Sequence, residues 1–92
     1  RPHISLILSN PDPDQLKDVR EITVSVSAVF PLREVLLFIN DELIDSKTAP
    51  ITARQFTFPL LSPLAPGTYT IKITAYDAVE NKETLEQRIT IL

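Results

Sequence analysis

Ninety-two residues with a net charge of −3 make one domain with a single small core, burying roughly 60–65% of the surface that the unfolded chain exposes. The nine Lys and Arg are scattered, which argues against a nucleic-acid partner or an anionic membrane surface. The absence of cysteine excludes a disulfide framework and a thiolate metal site, the single glycine leaves no phosphate-cradling loop, and no apolar run approaches the ~18 residues of a membrane span.

Taken in chain order, His3 to Ser9 alternates with Ile4, Leu6 and Leu8 on one side, predicting a first strand. Asn10-Pro11-Asp12-Pro13-Asp14 reads as a loop, because proline lacks an N–H and Asn and Asp favour local turns. Gln15 to Asp18 is a short turn or a frayed helix. Glu21 to Val29 is a second strand with Ile22, Val24, Val26 and Ala28 on one face and Thr23, Ser25 and Ser27 on the other, and Phe30-Pro31-Leu32 breaks it. Arg33 to Ile39 is a third, with Val35, Leu37 and Ile39 inward. Asn40-Asp41 sits at a tight hairpin turn, since both residues tolerate positive φ, and Glu42 to Ser46 returns as a short fourth strand.

After a connection around Ala49-Pro50, Ala53 to Leu60 is a fifth strand with Phe56 and Phe58 inward. Pro59 cannot donate to a ladder and marks an edge or a bulge. Ala65-Pro66-Gly67-Thr68 fits a type II turn. It launches the longest alternation in the chain, with Tyr69, Ile71, Ile73 and Ala75 inward and Thr70, Lys72, Thr74 and Tyr76 outward. Ala78 to Glu83 is a polar turn, and Leu85 to Leu92 closes the domain with Ile89 and Ile91 on the core face. Seven short strands with turn signals about every 8–12 residues predict an all-β sandwich.

Three stretches resemble the bacterial Ig-like domains, close in shape to fibronectin type III modules: Arg33 to Ile44 as strand, turn and short return; Ala49-Pro50 followed by Phe56-Thr57-Phe58; and Pro66-Gly67-Thr68-Tyr69 through Ala75-Tyr76-Asp77-Ala78 and Asn81. Two places depart from that pattern. Asn40-Asp41 stands where the family favours Asp-Gly, and Val79-Glu80-Asn81 stands where it has one glycine before the asparagine. The resemblance implies an antiparallel, seven-stranded Ig-like or fibronectin type III-like sandwich with Greek-key connections. It also implies a non-catalytic spacer or docking module of a secreted or cell-surface bacterial or archaeal protein, with an extracellular or envelope location and no cofactor. A chain that begins at Arg1 and holds no methionine reads as a single domain, 1–92, taken from a longer multidomain polypeptide.

Candidate sites are few. Asp12, Asp14, Asp18, Asp77 and Glu80 could supply oxygens to calcium, but no Asp-x-Asp-x-Asp-Gly loop exists, and solvated loops are the simpler reading. Asp77 has a structural task available, accepting backbone N–H groups of the turn near Val79 or Glu80. The only histidine is His3, and no serine lies in Gly-x-Ser-x-Gly, so no catalytic triad and no metal site are expected. Tyr69, just after the Pro-Gly turn, is expected to bond its hydroxyl to nearby backbone in the manner of a tyrosine corner.

The anomaly is an apolar outward face. If Val35, Leu37 and Ile39 point in, Leu36 and Phe38 point out, beside Tyr76 of the late strand and Ile44 of the return strand. A contiguous apolar stripe marks a contact surface. Leucine beside the aromatics favours dry docking of a neighbouring domain or protein partner. The alternative is a carbohydrate-binding module, with Phe38 and Tyr76 stacking on polysaccharide. The plainest reading is that long polar neighbours cover the stripe.

Overall fold

Period-2 alternation becomes seven strands and no helix among the residues that the structure, a computed structural model, describes: 3–11, 17–48 and 52–92, with the backbone alone for Ala53. The strands are β1 (Ile4–Asn10), β2 (Glu21–Ala28), β3 (Leu32–Ile39), β4 (Glu42–Lys47), β5 (Ala53–Pro59), β6 (Gly67–Asp77) and β7 (Lys82–Ile91). They form two antiparallel sheets, β1-β2-β5 and β4-β3-β6-β7. β2 lies beside β5 and β3 beside β6, the non-consecutive pairings of a Greek key. β4 pairs with β3 and not with β5, which separates this order from that of constant-type immunoglobulin domains.

The facing sides of the sheets build the core from Ile4, Ile22, Val24 and Val26, from Val35, Leu37 and Ile39, from Phe56 and Phe58, and from Ile71, Ile73, Ala75, Ile89 and Ile91, as the alternation predicts. Leu6 and Tyr69, also expected there, are half-buried and pack against it. Two members escape the alternation. Leu32 is buried although it shares parity with the outward Leu36 and Phe38, because a register shift between Leu32 and Glu34 resets the inward face. Val19 precedes β2 in an irregular stretch. The carbonyls of Val19 and Arg20 accept from the N–H groups of Leu64 and Leu60 at 3.0 and 2.9 Å, carrying the β2–β5 alignment past the strand ends and folding Val19 over the core.

Three turns differ in detail from the sequence-based expectation. Asn40 and Asp41 take φ of 52° and 67°, the two consecutive positive values of a two-residue hairpin turn. Asn40 is used twice over at this end: its backbone N–H donates to Thr70 O, and its side-chain Oδ1 accepts from Thr70 N–H, both at 2.9 Å. Gly67 has φ of 149°, away from the ~80° of the type II turn expected there. β7 starts at Lys82, so the last hairpin is tighter than the polar turn read from Ala78 to Glu83. Asp12, Asp14 and the Ala49-Pro50 connection lie outside the described residues.

The chain enters at the pole where Ile4 pairs with Ala28, beside Leu32 and Asp77. It leaves at the other pole, where Ile91 pairs with Gly67. β6, with 11 residues, is the longest strand and reaches from one pole to the other.

Candidate functional site

Two polar side chains singled out in the sequence close the ends of β6. At its start the Tyr69 hydroxyl donates to Ala65 O at 2.7 Å, pinning the approach to Gly67 against the strand. Tyr69→Phe removes that bond alone and is expected to cost about 1 kcal/mol, which for a domain of this size lowers the melting midpoint by about 4–8 °C. An unchanged midpoint would show that the hydroxyl bond contributes nothing.

At the other end Asp77 is fully buried. Its Oδ1 accepts from the N–H groups of Val79 and Asn81 at 3.0 and 2.8 Å, and its Oδ2 accepts from the Asn81 amide Nδ2 at 2.7 Å. Glu80, with φ of 72°, lets the chain reverse between those donors, and Asp77 N–H returns to Asn81 O at 3.1 Å. The neighbouring Ala78 N–H donates to Pro31 O at 2.9 Å, which ties this turn to the β2–β3 connection. Burial by itself raises the carboxyl pKa. The hydrogen bonds from the Asn81 side chain, the Asn81 backbone and the Val79 backbone outweigh it, with a smaller contribution from the charge of His3, and hold the group below its ordinary value of 3.8. A carboxylate so engaged is a turn-maker, buried and bonded to three donors of its own turn.

The outer face of the four-stranded sheet carries the candidate interaction residues. Leu36 pairs in register with Ser46 and Thr74, Phe38 with Leu43 and Lys72, and Tyr76 with Glu34 and Lys82. Phe38 and Tyr76 therefore stand four strand positions apart, about 13 Å, with Leu36 and the buried Thr74 between them. Leu36, Phe38 and Tyr76 are half-buried. Lys72 Nζ lies 4.9 Å from the Phe38 ring centre. Arg33 and Lys82 lie 5.2 and 5.8 Å from that of Tyr76. Cations over aromatic faces gain electrostatically and hide the rings from solvent.

Ile44 does not stand opposite Phe38. A register shift between Leu37 and Phe38 makes Ile44 the extra residue of a bulge and puts Leu43 across from Phe38. Leu43 is 55% and Ile44 39% exposed, so the open apolar part of this face lies on β4, at the sheet edge. Alternation alone could not reveal the bulge, and Leu43 was missed for that reason.

Other features hold less chemistry. A cleft between β4 and β5 is lined by Lys47, Thr48, Arg54, Gln55, Phe56 and Thr57, with Lys47 over the Phe58 ring and Arg54 over that of Phe56, both at 5.6 Å. Asp18 pairs with Arg20 at 3.0 Å and Arg33 with Glu80 at 3.2 Å, exposed contacts of small energetic weight. Among the described residues no three His, Cys, Asp or Glu side chains are grouped to hold a metal ion.

Neither a protein-family model nor a curated protein sequence matches the chain. Among solved structures it is similar to a chain of the Clostridium thermocellum CbhA fibronectin(III)-like modules, with a TM-score of 0.64 and 16% sequence identity over 95% of this chain and 94% of that one. Seven strands in antiparallel sheets of three and four, superposable on that module across nearly their whole lengths, make this fold a fibronectin type III-like β-sandwich.

Proposed function

We propose that the chain is a non-catalytic accessory module of a secreted or cell-surface protein, where it spaces or docks the domains beside it. The observation that carries the non-catalytic part is the state of Asp77. It is the one carboxylate buried among the described residues, and its oxygens are engaged by three donors of its own turn. The likeness to fibronectin(III)-like modules supports the accessory role by analogy of fold. Docking is supported by the open apolar edge of Leu43 and Ile44 beside Phe38. Sugar stacking needs free aromatic faces, and the rings of Phe38 and Tyr76 have ammonium or guanidinium groups over them.

The isolated 92 residues are expected to show no turnover above buffer on chromogenic esters, peptides or glycosides, and to stay in the supernatant when mixed with insoluble polysaccharide. Turnover that survives repurification overturns the non-catalytic reading. Retention on polysaccharide that is lost in the folded Phe38→Ser/Tyr76→Ser variant replaces docking by carbohydrate binding.

A further inference from the structure

Sheets that do not close leave edges, and each edge is an unsatisfied ladder of N–H and C=O groups that chains usually guard with charge, proline or a bulge. Three of the four edges here carry charged side chains. β4 carries Glu42, Asp45, Lys47 and a bulge; β5 carries Arg54 and ends on Pro59; β7 carries Lys82, Glu83, Glu86 and Arg88. β1, Ile4-Ser5-Leu6-Ile7-Leu8-Ser9-Asn10, has no charge and no proline, its one irregularity is a register shift at its end between Leu8 and Asn10, and it pairs with β2 on one side only. A cleft lined by Ile4, Ser5, Leu6, Glu83, Thr84 and Leu85 runs along its other side.

The direction of the free groups follows from the ladder. His3 O accepts from Val29 N–H, so the odd-numbered residues of this strand turn their backbone groups toward β2. The groups of Ile4, Leu6 and Leu8 therefore point out of the sheet. The side chains alternate independently of this. Leu6 and Leu8 pack against the core, while Ile7 stands on the outer face, 64% exposed between Ser5 and Ser9.

The central five residues read the same in both directions: Ser5-Leu6-Ile7-Leu8-Ser9. We propose that β1 is a self-pairing edge, through which two copies of this chain join antiparallel about a two-fold axis at Ile7. That register sets Leu6 against Leu8 of the copy as a hydrogen-bonded pair, using the outward groups, and Ser5 against Ser9. It sets Ile7 against Ile7 as a non-hydrogen-bonded pair, the geometry in which side chains come closest. An isologous contact requires a patch complementary to itself, and the palindrome supplies one. Charge favours the same edge: the protein carries −3 overall, and β1 is the edge strand with no charge of its own, Glu83 of β7 lying beside its start.

Two experiments on the 92-residue chain test this. Sedimentation equilibrium between about 10 μM and about 1 mM, a range suited to weak association, is expected to show conversion from the 10.3 kDa monomer to a closed dimer. Ile7→Lys and Ile7→Glu, each folded by circular dichroism, are expected to stay monomeric alone and to form a mixed dimer when combined. Because the chain has no cysteine, Ile7→Cys under mild oxidation is expected to cross-link fully, whereas Ser27→Cys, on the same face one strand inward, is not. A wild-type chain that remains monomeric throughout the range overturns the proposal. So do undiminished dimers of both charged variants, open-ended oligomers, or equal cross-linking at the two positions. A β1 edge that receives an extended segment of some other protein would give the monomeric result.

Discussion

Phe58→Ala is expected to destabilise the protein by about 3–5 kcal/mol, the range for deleting a buried aromatic side chain and leaving part of its volume empty. Phe58 is fully buried at a position where β5 pairs with Ile22 of β2, and it faces the other sheet. Lys47, reaching from β4, closes the open side of its ring. β5 has one hydrogen-bonded neighbour, so no second strand holds the backbone in place while the cavity collapses. Total stabilities of domains are about 5–15 kcal/mol, and this one substitution consumes a large share. Urea denaturation followed by circular dichroism measures it. Phe58→Leu, which retains most of the volume, should recover much of the loss, and a deficit below about 1 kcal/mol for the alanine variant would place Phe58 outside the working core.

The second large effect is expected at Asp77. Alanine there removes three hydrogen bonds at once and leaves the Val79 and Asn81 N–H groups without their partners inside the last hairpin. Its melting midpoint should fall further than that of Tyr69→Phe. The pH dependence has a definite sign. A carboxyl whose folded pKa lies below 3.8 contributes stability that is fully present above that value and is lost as pH falls through the folded pKa. The gap between wild type and Asp77→Asn is therefore expected to be widest at neutral pH and to shrink on acidification below about pH 4. A gap that widens on acidification would mean that the acid form is the one bound by the turn.

Most of the architecture was legible because period-2 alternation and burial share one cause. Where β2 reads Ile22-Thr23-Val24-Ser25-Val26, the apolar residues meet the other sheet. The roles of Asp77 and Tyr69 were legible for another reason: an aspartate after a strand and a tyrosine after Pro-Gly have local partners within a few residues. What escaped depends on partners distant in sequence. Leu32 and Leu43 are placed by register shifts that exist only once strands pair, and Val19 by carbonyls that meet residues 60 and 64. The candidate surface was half legible. Leu36, Phe38 and Tyr76 do share the outer face, but the cations over the rings come from neighbouring strand positions that become neighbours only in the folded sheet.

The opposite poles at which the chain enters and leaves have a mechanical consequence. A pull between the two ends acts along the strands, whereas the ladder bonds of antiparallel pairs lie across them. The load on β1 against β2, and on β7 against β6, is then a shear in which many bonds resist together, unlike the sequential opening of a zipper. A body strung between two attachment points in this way holds its length until a whole ladder gives way, which is the behaviour a spacer under tension requires.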